Sequence, residues 1–264
     1  MIYTIVPARN EGEKISRTLD MLLRTNSDMI LVVVNGCTDN TLKRVSNIDS
    51  DRIQTLYFNK PLGLDVPRSI GALSAYESGA SGFIFVDGDM IGNISNNINE
   101  IIFDISSNNI DMALTDCYDE THISSNAAKI LLSFRRQLNL ELGIYDKIAY
   151  AIPSHGPHGI SKKFIETVGF KSLSTPPVSL ALAVKNRLNI KVSTRIPDHV
   201  LRSTTKDSLH ASRISKTMIG DCIEACSIYQ DNQPRRGFDG IDFLGYHKGR
   251  RFDILDLILG SVPE

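Results

Sequence analysis

The chain has 264 residues, 42% of them hydrophobic and 22% charged, enough to close one sizeable core. Its 29 basic and 30 acidic residues leave a formal net charge of -1, which excludes a global electrostatic pull toward nucleic acid or an anionic membrane. No apolar run approaches the ~20 residues needed to span a bilayer.

From the start of the chain, β-rich apolar runs alternate with segments of helical period, the pattern of a parallel sheet with crossover helices. The predicted strands are Ile2 to Val6, Met29 to Val34, Ile53 to Phe58, Gly82 to Val86 and Asp111 to Leu114. Between the first two, Ile15, Leu19, Leu22 and Leu23 mark a helix for which Asn10 is the expected N-cap, with Glu11 and Glu13 in its first turn. Asp65, Val66 and Pro67 open a second helix carrying Ile70 and Leu73 inward, and Ile94, Ile98, Ile101, Ile102 and Ile105 mark another. The fold class expected from this is α/β, a mainly parallel central sheet flanked by helices, with ligands at the carboxyl ends of the strands.

After about residue 120 the rhythm changes. A helix is expected around Asn126 to Leu142, then a loop rich in Pro, His and Gly, a helical segment near Val178 to Leu188 and a strand near Ile190 to Ile196. A long helix follows from about Leu209 to Tyr229. Asp231 to Arg251, with four arginines and four glycines, reads as an irregular, mobile loop. The amphipathic tail from Phe252 to Leu259 is expected to pack on the body or on a second copy of the chain, as a homodimer. The domain reading is 1–200, with a first half (1–115) and a second half (116–200), and a helical C-terminal extension over 201–264 packed on the same domain. The four cysteines include no metal-type CxxC pair, and Met1 runs straight into strand-like sequence without a basic stretch and cleavage site. The expectation is a cytoplasmic protein with reduced thiols, in which Cys222 and Cys226 are small buried apolar residues on one helix.

Four strand ends carry unusual polar residues: Pro7-Ala8-Arg9-Asn10-Glu11, Asn35-Gly36-Cys37-Thr38-Asp39, Gly63 through Arg68, and Asp87-Gly88-Asp89. As a bare triplet, Asp-Gly-Asp is equally a solvated turn. After a buried strand, two carboxylates one glycine apart repel each other, and a hard divalent cation, Mn²⁺ or Mg²⁺, relieves the repulsion while keeping positions open for phosphates. Arg68, in the first turn of its helix, suits bidentate phosphate binding where free N–H groups already favour anions; the plain alternative is a surface arginine. Asn35 suits the N3–H and carbonyl of a uracil, or is a strand-end turn residue.

These segments, in this order and spacing, resemble glycosyltransferase family 2 and its GT-A relatives, over about the first 90 residues and more loosely to about residue 200. The resemblance implies that Pro7 to Glu11 and the Asn35 loop contact the nucleotide and that Gly63 to Arg68 runs beneath the diphosphate. It also implies that Asp87-Gly88-Asp89 is the DXD motif, with Asp87 toward the ribose and Asp89 on the metal. Two departures stand out. Val34-Asn35 replaces two aspartates. The region where inverting members carry a Glu-Asp pair reads Ser174 to Leu180 without a carboxylate, so the general base is not carried over. Either Asp116 or Asp146 takes that role, or the enzyme retains configuration and needs no such base, as in the glucosyl-3-phosphoglycerate synthase relatives. Those relatives place a metal-binding histidine after a late strand, which makes His199 the candidate third ligand, with His210 a weaker one, unless His199 is a packing histidine. The stretch from Ser154 to Gly159 resembles their acceptor-facing loop, with His155, Gly156 and His158 as candidates and functionless loop histidines as the alternative.

The expected function is transfer of a hexose from a nucleoside diphosphate sugar, with a UDP-sugar favoured, to a hydroxyl acceptor. The rival classes are a sugar-phosphate nucleotidyltransferase, disfavoured by the absence of a glycine-rich loop after the first strand, and a non-catalytic binder on a degenerate transferase scaffold. No G-x-G-x-x-G and no Walker A string occurs, which disfavours dinucleotide and P-loop enzymes.

Overall fold

The computed structural model describes residues 1–107, 109–118, 126–203 and 207–261. Seven strands form one sheet: β1 (Ile2–Ala8), β2 (Met29–Asn35), β3 (Ile53–Phe58), β4 (Gly82–Phe85), β5 (Met112–Asp116), β6 (His158–Ser161) and β7 (Ile190–Arg195). Their order is β3-β2-β1-β4-β6-β5-β7. All run parallel except β6, which pairs antiparallel with both β4 and β5. The five strands expected in the first half are present within two residues of their predicted ends.

Period-two alternation splits the core into two layers. Tyr3 and Ile5 of β1, with Leu31 and Val33 of β2, face a cluster that includes Ala72 and Ala75 of α3 (Val66–Glu77) and Leu138 of α5 (Asn126–Glu141). The same cluster takes Leu180 of α8 (Pro176–Lys185) and Cys222 of α10 (Ser208–Tyr229). Val6 and Ala8, with Val32 and Val34, face Ile15, Leu19 and Leu22 of α1 (Ile15–Leu22), Val45 of α2 (Thr41–Ser46) and Ile98 and Ile101 of α4 (Ser95–Ser107). Central strands buried on both sides must be apolar throughout, whereas edge strand β3 is nowhere fully buried and admits Gln54 and Thr55. Among the described residues no helix is long and apolar enough to cross a membrane.

Three expectations are corrected. Asn10 does not cap α1: it adopts φ 56, its side chain bonds Thr38, and the helix begins at Ile15 after Lys14. The stretch after Ser154 is not all loop, because His158–Ser161 forms β6; four residues without β-branched alternation gave no strand signal. Residues 231–251 are not a free loop. They carry a hairpin, β8 (Gly237–Phe238) with β9 (Ile241–Asp242), and are anchored by the buried Arg236 and Arg250. The tail forms α11 (Phe252–Gly260), whose Leu255 packs with Leu62, Val66 and Ile70 of this same chain.

Gly63 marks where the C-terminal segment meets the sheet. Its φ is +91, and a Cβ there would lie 2.2 Å from the Gly249 carbonyl oxygen, whereas Gly79 has φ +85 and open space. Gly79→Ala is expected to cost only the left-handed strain of about 1–2 kcal/mol. Gly63→Ala should cost at least about 1–3 kcal/mol more, since the 249–250 backbone must move. Equal urea midpoints for the two variants would show that the contact contributes nothing.

Candidate active site

Since β6 alone is reversed, the carboxyl ends of the other strands and the start of β6 share one edge of the sheet. The winding changes direction between β1 and β4, the place where such sheets open a crevice. The first two rims are stitched together there. Asn10 bonds Thr38 through both amide atoms, and Asp39 Oδ1 accepts from the Thr41 N–H at 3.0 Å while its Oδ2 accepts from the Gly12 N–H at 2.9 Å. Burial raises the Asp39 carboxyl, but these hydrogen bonds outweigh it and hold its pKa below the ordinary value. Gly88 lets β4 leave close to β1: a Cβ would lie 3.2 Å from Ala8 Cβ and from the Pro7 carbonyl. Arg9 stands exposed on the rim, and the Glu11 N–H donates to Thr41 Oγ1 at 2.8 Å.

Asn35 is buried with both ends of its amide engaged, Oδ1 accepting from the Leu62 N–H at 2.6 Å and Nδ2 donating to the Gly63 carbonyl at 3.1 Å. It therefore shapes the 62–63 loop. One N–H and one lone pair are left over for a ligand.

The floor of the crevice is ionic. Arg68, buried at the start of α3, donates from Nη2 to Asp87 Oδ1 at 2.5 Å and from Nε to Asp65 Oδ1 at 3.1 Å. Burial lowers the Arg68 pKa, yet Asp87 and Asp65 more than compensate and leave it raised. Desolvation is also the main influence on Asp87, pushing its carboxyl up. Arg68 pulls it down, Asp89 and Asp65 push it further up, and the net shift is upward. With 37% of its side chain exposed, Asp87 faces the crevice. Asp65 was read from sequence only as a helix opener. It has φ 62 and makes no capping hydrogen bond, its carboxylate being directed at arginines instead.

Asp89 accepts from Ser203 Oγ at 3.0 Å and has Lys14 Nζ at 3.9 Å. His199 lies exposed on α9 (Asp198–Leu201), which packs directly on the segment after Asp89. The Gly92 N–H donates to the Leu201 carbonyl, and a Cβ on Gly92 would lie 2.0 Å from the Val200 oxygen. By type, two carboxylates that repel each other on Asp87 and Asp89 and an imidazole on the adjoining helix are an O/N donor set of the kind Mn²⁺ takes, but their donor atoms do not gather within 4.8 Å of one another. Among the described residues the only three-group acidic or imidazole cluster is elsewhere, at Asp221, Glu224 and His247.

On the far side of the crevice, Asp116 at the end of β5 accepts from the Tyr118 N–H and lies 3.7 Å from Arg195 Nε, while Asp146 is exposed on α6 (Tyr145–Ile148). His155 is held at both nitrogens. Arg135 Nη1 donates to Nδ1 at 3.0 Å, which leaves Nε2 to donate to Asp198 Oδ1 at 2.8 Å. Arg135 is buried, and its Nε has no partner among the described residues. Gly156, at φ +78, gives room to Cys117 Sγ, 2.5 Å from where a Cβ would be. His158 is buried in β6 with its ring stacked on Phe85, centroids 4.8 Å apart. His210 bonds the Tyr246 hydroxyl at 2.8 Å. Sequence reasoning missed Asp65, Arg135, Asp198 and the buried arginines; the arginine-rich 231–251 stretch was the one available signal.

Neither a protein-family model nor a curated protein sequence matches the chain. Solved structures do match its fold. Glucosyl-3-phosphoglycerate synthase from Mycobacterium tuberculosis, in complex with UDP, superposes with a TM-score of 0.63 at 15% identity over 86% of this chain and 80% of that one. The same enzyme with Mn²⁺, UDP-glucose and phosphoglyceric acid gives 0.63 at 14% identity over 86% and 80%. Mannosyl-3-phosphoglycerate synthase from Rubrobacter xylanophilus gives 0.62 at 11% identity over 91% and 78%. The chain thus has the GT-A fold expected from its sequence.

The histidines give this edge a pH dependence. Burial, then the charge of Arg68, holds His158 well below 6.5, and burial, then Arg135, lowers His155 against the pull of Asp198. Burial, with Arg236 and Arg250, holds His247 at about 4. All three are harder to protonate in the fold than in the unfolded chain and so take up protons on unfolding. Stability is therefore fully present above the ordinary imidazole value and is lost as pH falls below it. Between pH 7 and 5 the urea midpoint is expected to fall, with His158 contributing up to about 1.4 kcal/mol per pH unit. His158→Gln should give a shallower profile than the wild type; an unchanged slope would contradict this assignment.

Proposed function

We propose that this chain is a metal-dependent glycosyltransferase that moves a hexose from a nucleoside diphosphate sugar, with a UDP-sugar favoured, to a hydroxyl acceptor. The observation that carries the reading is the buried Arg68 locked onto Asp87 at the crevice between β1 and β4, with Asp89 two residues on. That arrangement offers a fixed cation for a diphosphate and carboxylates for ribose and metal, at the place where nucleotides bind such sheets. Fold neighbours solved with UDP-glucose and Mn²⁺ support it.

Asp89 and His199 would hold the ion, which supplies positive charge to the departing diphosphate, worth several kcal/mol in the transition state. Arg68 adds a second, preorganised positive charge on the same side. Pro7 to Glu11 and the 62–63 loop held by Asn35 would form the walls around the base. The acceptor enters from the side of His155 and Asp116. Phosphoglyceric acid, bound by the fold neighbour, is the first acceptor to try; the buried Arg135 places a cation on that side.

With UDP-glucose, UDP-GlcNAc and GDP-mannose offered in Mn²⁺, binding of at least one by titration calorimetry and slow donor hydrolysis are the expected results. Asp89→Ala should lower turnover at least about 10²-fold. No nucleotide binding, or binding and turnover indifferent to that substitution, would remove the reading.

The outcome at the anomeric carbon is proposed to be retention. The start of α8, where an inverting base would stand, carries Pro176 and Pro177, and Ser179 Oγ is turned back onto the Pro176 carbonyl at 2.7 Å. A front-face transfer lets the leaving diphosphate oxygen accept the acceptor proton, so no carboxylate is required there. An α-linked product from an α-linked donor, read by the anomeric proton coupling in NMR, is the expected result; a β-linked product would show that Asp116 or another carboxylate is the base.

A further inference from the structure

Arg250 lies 185 residues from Asp65 in sequence and is fully buried against it. Its Nη1 and Nη2 grip Asp221 Oδ1 and Oδ2, each at 2.7 Å, Nη2 also reaches Asp65 Oδ2 at 2.8 Å, and Nε donates to the Leu64 carbonyl at 3.2 Å. Asp65 thus divides its two oxygens between two arginines, Oδ2 to Arg250 and Oδ1 to Arg68. Behind Arg250, Asp221 also accepts from Arg236 Nη1 at 2.6 Å, and the same nitrogen donates to Glu224 Oε2 at 2.6 Å. The result is one alternating row of charges from the C-terminal segment to the crevice. Asp221, Glu224 and His247 resemble a metal cluster, but Arg236 and Arg250 already neutralise the carboxylates, so the row carries no separate ion.

We propose that Arg250 is a positioning residue for the donor site: by occupying one oxygen of Asp65, it leaves Arg68 only the other, so that Arg68 keeps a nitrogen on Asp87 at the crevice floor. The backbone agrees with this division. Asp65 holds a left-handed conformation without capping its helix, and Gly63 admits the Gly249 carbonyl where any side chain would collide. Without Arg250, both Asp65 oxygens become available to Arg68, a fork-to-fork pairing that guanidinium and carboxylate geometry favours, and Arg68 is drawn off Asp87.

This inference rests on the donor-site reading for its consequence but not for its geometry, so two readouts separate them. In the full-length chain, Arg250→Met, Arg250→Lys, Asp65→Asn and the double variant Arg250→Met/Asp65→Asn are compared with the wild type, with thermal melts reporting folding. Asparagine tolerates the left-handed conformation at 65. The first readout, free of ligand, is the ¹⁵N NMR signal and proton exchange of Arg68 Nε–H. The second is the affinity for UDP with Mn²⁺ against that for uridine.

Arg250→Met is expected to shift the Arg68 signal and weaken UDP binding at least about tenfold, or about 1.4 kcal/mol, with uridine little changed. Adding Asp65→Asn should restore much of the affinity, a non-additivity that general loosening would not produce. Arg250→Lys, which keeps the charge but lacks the guanidinium's fork, should show the same changes in smaller degree, and carries the test if Arg250→Met does not fold. An Arg68 signal and a UDP affinity that stay at wild-type values while the melt drops would overturn the proposal, as would losses that add in the double variant. If the wild type binds no UDP, the donor reading fails, and the Arg68 signal still decides whether Arg250 holds it.

Discussion

An arginine buried in a protein cannot shed its charge, so its surroundings must supply the opposite one. Arg68 imposes that demand at the carboxyl edge of the sheet, and much of the site follows from how it is met. Asp87 answers from the end of β4 and Asp65 from the start of α3, at the cost of a left-handed backbone. Asp65 is itself enclosed and cannot serve Arg68 alone without being monopolised by it; Arg250 divides the load. Breaking one member of such a set leaves a buried charge uncompensated, which is far more damaging than exchanging the whole set for apolar residues.

The row of charges also has a direction. Counted from Glu224 and Arg236 through Asp221, Arg250 and Asp65 to Arg68 and Asp87, it holds one more carboxylate than guanidinium, and Asp89 adds another at the crevice. The surplus negative charge is placed at the crevice, where Lys14 Nζ lies 3.9 Å from Asp89. An open end of this kind is what the proposed divalent cation, and with it a diphosphate, would require. The buried guanidinium beneath keeps the site from being merely acidic.

The sequence announced the frame because the frame is made by local rules. Buried parallel strands such as Leu31 to Val34 and Phe83 to Val86 are readable as continuous apolar runs, and the rule that ligands bind at strand carboxyl ends then singles out Asp87, Asp89 and Arg68. What stayed hidden depends on contacts distant in sequence. Asn10 looked like a helix cap because its competing partner, Thr38, lies on another strand end. Strand β6 has four residues and exists because β4 and β5 leave a gap between them. Residues 231–251 looked loose by composition, since glycines and arginines make loops when nothing binds them. Arg236 and Arg250 are ordered by acids on α10 and at Asp65. Asn35 showed its position but not its task, because the backbone it holds belongs to a loop that no local pattern predicts.

The short helix α9 joins the two sides of the crevice. Asp198 fixes His155, whose other nitrogen accepts from Arg135, while Val200, Leu201 and Ser203 lie against the segment from Asp89 to Gly92. His199 stands between these two sets of contacts, so its place is set from both directions. Arg135 meets an imidazole rather than a carboxylate, and its Nε has no partner among the described residues, which leaves its charge less fully answered than that of Arg68. The buried guanidinium of Arg68 is thus matched by carboxylates within the chain, with negative charge to spare at Asp89, whereas that of Arg135 is not. In the proposed reaction an anionic group on the acceptor would answer Arg135, while metal and diphosphate would go to the surplus carboxylates opposite.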